Sequence, residues 1–509
     1  GWVLNAAGVV EVEVQGDESA MEEFARRVID DAPPLARPEL LKNEPVTAEP
    51  AGRFEIRHSE DAGEPDIHVP PDQFLCADCI AEMSDPSERR YRYPFINCTQ
   101  CGPRYTIIRA LPYDRPNTTL AGFPLCPDCH AEYSNPLDRR FHAQPLACPV
   151  CGPSLTFRRG DNVVAGNEPA LAAALEAIRS GQVIAVRGVG GYHLVCLAGD
   201  ENAVATLRRR KHRPDKPLAV MVPMRGADGL DGARELADLS PPVAERLADP
   251  ERPIVLARRR EDVPLAAGIA PGLNEIGLML PYAPLHHLLL TELNQPIVAT
   301  SGNLSGEPVL TDPEDAEARL AGIADAFLHH NRPIQRPADD PVWREVAGRV
   351  RPIRLGRGNA PLEMELPMGL STKLDRPLLA VGAFLKNTVA LAWKRRVVIS
   401  PHIGELASPR AVEVFRQVVE DLQALYGVRA EALACDAHPD FPNSRWARDF
   451  GREHGLPLHR IHHHEAHASA LAGEFNRLDR DTLVFAWDGV GYGRDGSLWG
   501  GEVLLGRPG

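Results

Sequence analysis

CADCIAEMSDPSERRY at residues 76–91 returns as CPDCHAEYSNPLDRRF at residues 126–141, and each copy closes on CxxCGP, at 98–103 and 148–153. Cys76, Cys79, Cys98, Cys101, Cys126, Cys129, Cys148 and Cys151 thus form two copies of one unit with a period of 50 residues. A CxxC knuckle aims two sulfurs at one point from a tight turn, and two knuckles close a tetrahedral zinc site with no open position. The expected role is structural rather than catalytic. Disulfides are the alternative, but a fixed internal period is metal-like, and residues 1–30 do not read as a secretory signal. The spacing leaves open whether an ion draws its ligands from one unit or from both. Because each repeat is complete in itself, one ion per unit is expected, two structural zinc ions in all. At about 10 kcal/mol or more per ion, metal binding would supply much of what folds this Pro-rich region.

The whole sequence has 509 residues, enough for roughly three or four domains. With 44% hydrophobic and 25% charged residues it is globular, and a net charge of -14 argues against nucleic acid or an anionic membrane as partner. No apolar run is long enough to cross a bilayer. Only Cys196 and Cys435 lie outside the repeat, which fits a reducing cytoplasm. The chain opens on Gly1 and stops just after the strand-like GGEVLLG, so it reads as a fragment cut at both ends.

Residues 1–60 read as two strands, GWVLN and VVEVEVQG, an amphipathic helix SAMEEFARRVID with Met21, Phe24, Ala25 and Val28 on one face, and a closing strand RFEIRHS. This order resembles the later part of an acylphosphatase (ferredoxin-like) domain. GWVLN matches that family's GWVRN, which implies for Asn5 the role of positioning an attacking water. The family's phosphate loop and Arg would lie before residue 1, so this copy is expected not to turn over. On the residues alone, Asn5 is a hairpin-turn residue.

After the finger region, taken as 61–157, helices and strands alternate over 158–358. Leu171, Ala174, Leu175 and Ile178 share one helical face stopped by Gly181, and the buried strand VIAVR leads into a Gly-rich turn, GVGGYHL. Asp200 caps a helix that Pro214 and Pro217 end before the strand LAVMV. Arg208, Arg209, Arg210, Lys211, Arg213 and Lys216 therefore crowd a helix end and the loop beyond it. Cations at a helix C-terminus complement its dipole, but Lys216 lies past two prolines at the mouth of a strand. Fixed positive charge at a strand edge is what a triphosphate needs. PIVAT then runs into SGNLSG, where Thr300, Ser301 and Asn303 offer hydroxyls, an amide and backbone N–H groups to phosphate.

KHRPDKPLAVMV and ATSGNLSGEP resemble the paired signatures of the threonylcarbamoyl-adenylate synthase (YrdC-like) fold, a twisted α/β domain that makes an acyl-adenylate from ATP and a carbamate-like acid. The family's KxR and following Lys fall on Lys211, Arg213 and Lys216, which implies catalytic and ATP-phosphate roles for them, with Mg as the nucleotide's companion ion. Its SxN falls on Ser301 and Asn303, although the spacing from Arg213 to Lys216 is one residue short. Zinc repeats directly before such a domain, with RGVGGYHL inside it, resemble the HypF family, the carbamoyltransferases of nickel-iron hydrogenase maturation, from residue 1 to residue 509.

Residues 359–376 read as a linker and 377–509 as the first part of an actin-like ATPase (ASKHA) domain. LLAVGAFLKNTVALAWKRRVVIS predicts three strands with a basic turn at Lys394 to Arg396. Helices follow from Arg410 to Tyr426 and from Asn443 to Gly455. GAFLKNT resembles the fold's first phosphate loop, which implies phosphate roles for Lys386 and Asn387. In IHHHEAH, His463 and His467 lie four apart, suited to sharing a metal on one helical face. TLVFAW is expected to end at Asp488 in a Gly-rich turn, DGVGYG, where a carboxylate can meet that ion or a phosphate. The family's VxHHxAH implies that His463 and His467 are metal ligands and Asp488 the third, for one further divalent ion, iron or zinc. A further Asp of the family is expected beyond residue 509.

The expected architecture is multidomain, α/β and α+β. By resemblance, the expected activity uses carbamoyl phosphate and ATP to form carbamoyl-adenylate and passes the carbamoyl group to the C-terminal Cys of a HypE-like maturation protein, the precursor of a cyanide ligand. A small-molecule O-carbamoyltransferase and a zinc-finger binding protein with degenerate downstream domains are the rivals.

Overall fold

The structure, a computed structural model, describes residues 1–6, 9–32, 38–47, 52–57, 68–366 and 374–507. At the N-terminus Trp2–Ala6 pairs antiparallel with Val9–Glu13 and parallel with Glu55–Ile56. The helix Glu18–Asp30 buries no residue, so the apolar face expected at Met21, Phe24, Ala25 and Val28 is left largely open to solvent.

Each finger unit has a short helix, Ala77–Ser84 or Pro127–Ser134, capped by the first cysteine of its knuckle. The two units are locked together by a crossed exchange. Arg90 donates to Glu132 of the second unit at 2.5 Å, and Arg140 donates to Glu82 of the first at 2.5 Å. Arg89 also reaches Glu132, and Arg139 reaches Glu82. These residues are equivalent across the repeat, so the contact is a local two-fold. The fingers also share a core with the unit after them: Tyr93, Ile96 and Cys101 pack in one cluster with Leu171, Met279 and Leu289.

That next unit is one 12-stranded sheet built from residues 155–354. It begins with Leu155–Arg159, so the boundary expected at 157/158 falls inside a strand. The helix Asn167–Arg179 covers one face and buries Leu171, Ala174, Leu175 and Ile178 as expected. Glu201–Arg210 covers the other, its N-terminus capped by Asp200, which accepts from the Ala203 N–H at 3.0 Å. Ile297–Ser301 runs antiparallel to Tyr192–Leu197 with Ser301 opposite His193, which brings the end of PIVATS beside the GVGGYHL turn.

The last six-stranded sheet follows the order Leu362–Glu365, Arg396–Ile399, Ala390–Trp393, Leu378–Ala380, Ala432–Asp436, Leu458–Ile461. The three-strand meander is as read from sequence. The linker expected at 359–376 is corrected in part: Leu362–Glu365 is an edge strand, paired antiparallel with Arg396–Ile399 because its alternating side chains continue the meander. The helices Pro409–Tyr426 and Pro442–His454 end at Gly427 and Gly455, whose φ values of 64° and 69° are the left-handed caps glycine supplies. Val69, Tyr105 and Ile108 of the finger region pack with Leu379, Phe415 and Leu422, so the fingers wedge between the two larger units. Among the described residues no helix is long and apolar enough to cross a membrane.

Arg90 has 1% side-chain exposure, so Glu132→Gln takes the nearer of two negative charges from a buried guanidinium, the other being Glu82 at 3.3 Å. A loss of about 3 kcal/mol is expected in denaturant unfolding, with zinc released from both units at lower chelator concentration than in the parent.

Candidate nucleotide and metal sites

Each unit gathers its own four thiols. Sγ–Sγ distances are 3.6 Å for Cys76–Cys98, 3.8 Å for Cys98–Cys101 and 3.6 Å for Cys79–Cys101. In the second unit they are 3.7 Å for Cys126–Cys148, 3.7 Å for Cys148–Cys151 and 3.6 Å for Cys129–Cys151. A tetrahedron with Zn–S bonds of about 2.3 Å has edges of about 3.8 Å. The donor sets therefore fit one zinc per unit, not ions shared between units. Arg139 donates to Cys79 at 3.1 Å, and Arg89 and Arg90 donate to Cys129 at 3.3 and 3.4 Å, so each cluster's negative charge is met by the other unit's arginines.

A cavity of about 310 Å³ opens at the sheet end where Ser301 meets His193. Arg213 and Lys216 line it from the loop before the strand Val220–Met221, Thr300 and Ser301 from a strand end, Asp339 and Asp340 from the loop before Val342–Val346, and Arg354 from the end of the strand Arg349–Arg354. Lys211 is different. Its ammonium is buried and donates to Ser301 O at 2.7 Å, Asn303 O at 2.8 Å and Asn303 Oδ1 at 2.6 Å. Burial pushes its pKa down to about 7, while three oxygen acceptors favour the charged form. Lys211 and Asn303 therefore shape the loop, and neither lines the cavity. Arg208 acts likewise, donating to the carbonyls of Arg213 at 2.7 Å, Pro214 at 2.9 Å and Lys216 at 3.2 Å.

Sequence reading missed the acidic side of this cavity. His193 Nε2 lies 2.9 Å from Asp340 Oδ2, and Asp340 also accepts from Arg357 Nε at 3.2 Å. These two partners hold the Asp340 carboxyl well below the usual carboxylate range despite full burial. The signal was present: His193 lies inside GVGGYHL, and Asp339 and Asp340 stand side by side before Pro341. His402, from the last sheet's unit, lies 3.5 Å from Asp339, so the neighbouring domain reaches the cavity wall.

In that domain His463 opens the helix His463–Glu474, with His467 one turn on. His463 Nε2 lies 3.3 Å from His467 Nε2 and 2.7 Å from Asp488 Oδ2, which is 3.5 Å from His467 Nε2. These donor separations suit first-row divalent ligation. His463 Nδ1 faces Asp436 Oδ2 at 3.0 Å, and that hydrogen bond is the main reason its pKa is raised. A carboxylate behind a ligating His is the usual orienting partner. Asp436, at the end of the strand Ala432–Asp436, was not singled out in sequence. Asp488 does not end a strand as expected. Thr482–Tyr492 runs through it, and an irregularity in register between Trp487 and Gly491 turns this stretch out of the ladder.

Lys386 is exposed with φ 48°, whereas Asn387 is turned inward. Asn387 Nδ2 donates to Val381 O at 2.9 Å and Ala383 O at 2.6 Å, which fixes the GAFLKNT loop from behind and leaves this side chain no phosphate-facing donor. Asn5 lies on the strand Trp2–Ala6, and its side chain is outside the described residues.

The profile of the HypF finger matches residues 75–108 and 125–158, the HypF Kae1-like domain residues 373–474, and the profile described as telomere recombination residues 176–356. Carbamoyltransferase HypF of Synechocystis sp. is 46% identical over 99% of this chain, and carbamoyltransferase HypF2 of Cupriavidus necator is 43% identical over 99%. The crystal structure of full-length HypF in its phosphate- and nucleotide-bound form superposes with a TM-score of 0.90 at 40% identity, covering 100% of this chain and 65% of that one. The chain belongs to the HypF family. It spans 64% of the length of each of the two named relatives. The HypF finger profile falls on the two four-cysteine sets and the Kae1-like profile on His463 and His467, but that profile stops before Asp488.

Lys211→Met removes a buried cation that bonds three oxygens; Ser301 O keeps the Asn303 N–H at 3.1 Å and Asn303 Oδ1 keeps the Ser301 hydroxyl at 2.9 Å, so Asn303 O is the acceptor left without its donor. The expected result is a loss of about 3 kcal/mol in the unfolding free energy of this domain, with Lys211→Arg recovering only part of it.

Proposed function

We propose that this chain carries the adenylating and transferring parts of a HypF-type carbamoyltransferase. The observation that carries the reading is the cavity in which Arg213, Lys216 and Arg354 face the hydroxyl-bearing strand end Thr300–Ser301. Three cations and two hydroxyls suit the phosphates of ATP with its Mg, and the carboxylates of Asp339 and Asp340 line the same cavity. A carbamate oxygen attacks the α-phosphorus and pyrophosphate leaves, a step that rests on positioning and charge neutralisation. Lys211 and Asn303 act by holding the loop, and Arg208 by shaping the approach of Lys216.

The carbamoyl-adenylate hydrolyses readily, so its transfer belongs inside the protein. The contact between His402 and Asp339 supports such a passage, because it joins the cavity wall to the Kae1-like unit. There a thiolate sulfur, in the HypF setting the C-terminal Cys of a HypE-like partner, attacks the carbonyl carbon and AMP departs. His463, His467 and Asp488 would hold a divalent ion, iron or zinc, which supplies Lewis-acid chemistry when bound; Asp436 fixes the tautomer of His463 by accepting from Nδ1–H. Lys386 is left as the phosphate-facing candidate of the GAFLKNT loop. The small N-terminal sheet would be the acylphosphatase-like piece, with Asn5 as its water-positioning residue, and the reduced thiols suit the cytoplasm.

Carbamoyl-phosphate-dependent exchange of pyrophosphate into ATP tests the first half. Lys216→Ala should lower exchange about a hundredfold, and full exchange in that variant removes the phosphate role. No exchange in the parent protein leaves the zinc-finger binding reading instead. For the second half, His463→Ala should lose one metal ion per chain by elemental analysis while zinc at the fingers stays.

A further inference from the structure

A second, smaller cavity, of about 30 Å³, lies between the finger region and the large sheet. It is lined by Gln73 and Phe95 from the fingers and by Arg187, His286, His330 and Arg332 from the sheet and its loops. Tyr282 lines both this cavity and the larger one, and the turn through Gly188 and Gly191 borders the two. The polar atoms around it are unusually short of partners. Arg187 Nε, Arg332 Nε, His330 Nδ1, both ring nitrogens of His286 and Gln73 Oε1 are buried without a hydrogen-bond partner among the described residues.

The two guanidinium groups set the chemistry. Arg187 has one donor on His330 O at 2.6 Å, and Arg332 lies over the Phe95 ring at 5.7 Å. Among the described residues neither has a carboxylate in ion-pair contact; Asp72 and Asp312 act on them only at longer range. Asp72 Oδ1 accepts from Arg104 N and Thr106 Oγ1, each at 2.7 Å, while its Oδ2 is buried without a hydrogen-bond partner among the described residues. Burial lowers the pKa of Arg332 to about 10, still above neutrality, so it is a buried cation whose counter-charge, Asp72, acts on it only at longer range. Burial keeps His286 and His330 neutral, the first down to about 3. His330 has Nε2 3.0 Å from Gly188 O, so Nε2 carries the proton and Nδ1 is an acceptor.

The cavity thus offers strong donors on two cations and acceptors on His330 and Gln73. Chloride or nitrate would satisfy the first set and oppose the second. We propose that this cavity binds a small planar oxyanion that also carries an N–H or O–H donor, the bicarbonate and carbamate class. The volume, room for about two waters, suits a three-coordinate ion of that kind. Its place behind the wall of the larger cavity makes it a holding site for the acid that is adenylated there. That link rests on the nucleotide reading above; the anion preference does not.

Thermal unfolding of the purified chain in bicarbonate, nitrate and chloride at equal ionic strength and pH 8 tests it, without nucleotide. Bicarbonate should raise the transition by about 2 °C over both other salts at a tenfold excess over Kd, and Arg332→Gln should abolish the difference. Gln73→Met removes an acceptor from the cavity and should reduce the bicarbonate shift while leaving ATP binding unchanged. It decides the matter if Arg332→Gln loses zinc and so fails to fold. Equal transitions in all three salts would overturn the site, as would a bicarbonate shift undiminished in Gln73→Met. Loss of ATP binding in the parent would count against the nucleotide reading alone.

Discussion

Four arginines cross between the two finger units, and their crossing sets the geometry of everything downstream. A zinc centre of four thiolates carries excess negative charge, and Glu82 and Glu132 add to it. Arg89, Arg90, Arg139 and Arg140 meet that charge from the opposite unit, through both carboxylate and sulfur. A desolvated cation and its partner cannot be separated cheaply, so the repeat behaves as one body. One side of that body packs Tyr93 and Ile96 into the core of the large sheet; another packs Tyr105 and Ile108 into the core of the last domain. The fingers are therefore a rigid wedge that fixes how the two candidate sites face each other.

Within the large sheet, basic residues divide by what their neighbours demand. A chain that turns from a strand end into a polar loop exposes carbonyls, and buried carbonyls must find donors. Lys211 and Arg208 satisfy them, which organises the 301–303 loop and the approach to Lys216. Arg213, Lys216 and Arg354 remain at the cavity. Positive charge around this cavity thus has two placements, holding backbone and lining the open space. Residue type does not separate them.

The Kae1-like unit shows the same division. Asn387 holds a loop from behind while Lys386 stands exposed, and Asp436 orients a histidine whose other nitrogen faces Asp488. Asp488 reaches the histidines because the strand that carries it leaves register between Trp487 and Gly491. A regular ladder would alternate side chains strictly and leave its position to the pleat alone.

The finger repeat, the helical face at Leu171 to Ile178, the cap at Asp200, the meander after Leu378 and the i, i+4 histidines were legible because each is a local pattern. Spacing along the chain alone dictates which side chains share a face or a turn. Asp340 with His193, Asp436 behind His463, the edge strand Leu362–Glu365 and the inward turn of Asn387 were not, since their partners lie far along the sequence. Whether a lysine faces a ligand or a carbonyl depends on which loop folds over it. The sequence by itself determined the two four-cysteine units, the run of local elements and the family to which the chain belongs; only the tertiary structure decided which charges are buried as supports and which stand in a cavity, because burial and pairing are properties of distance in space.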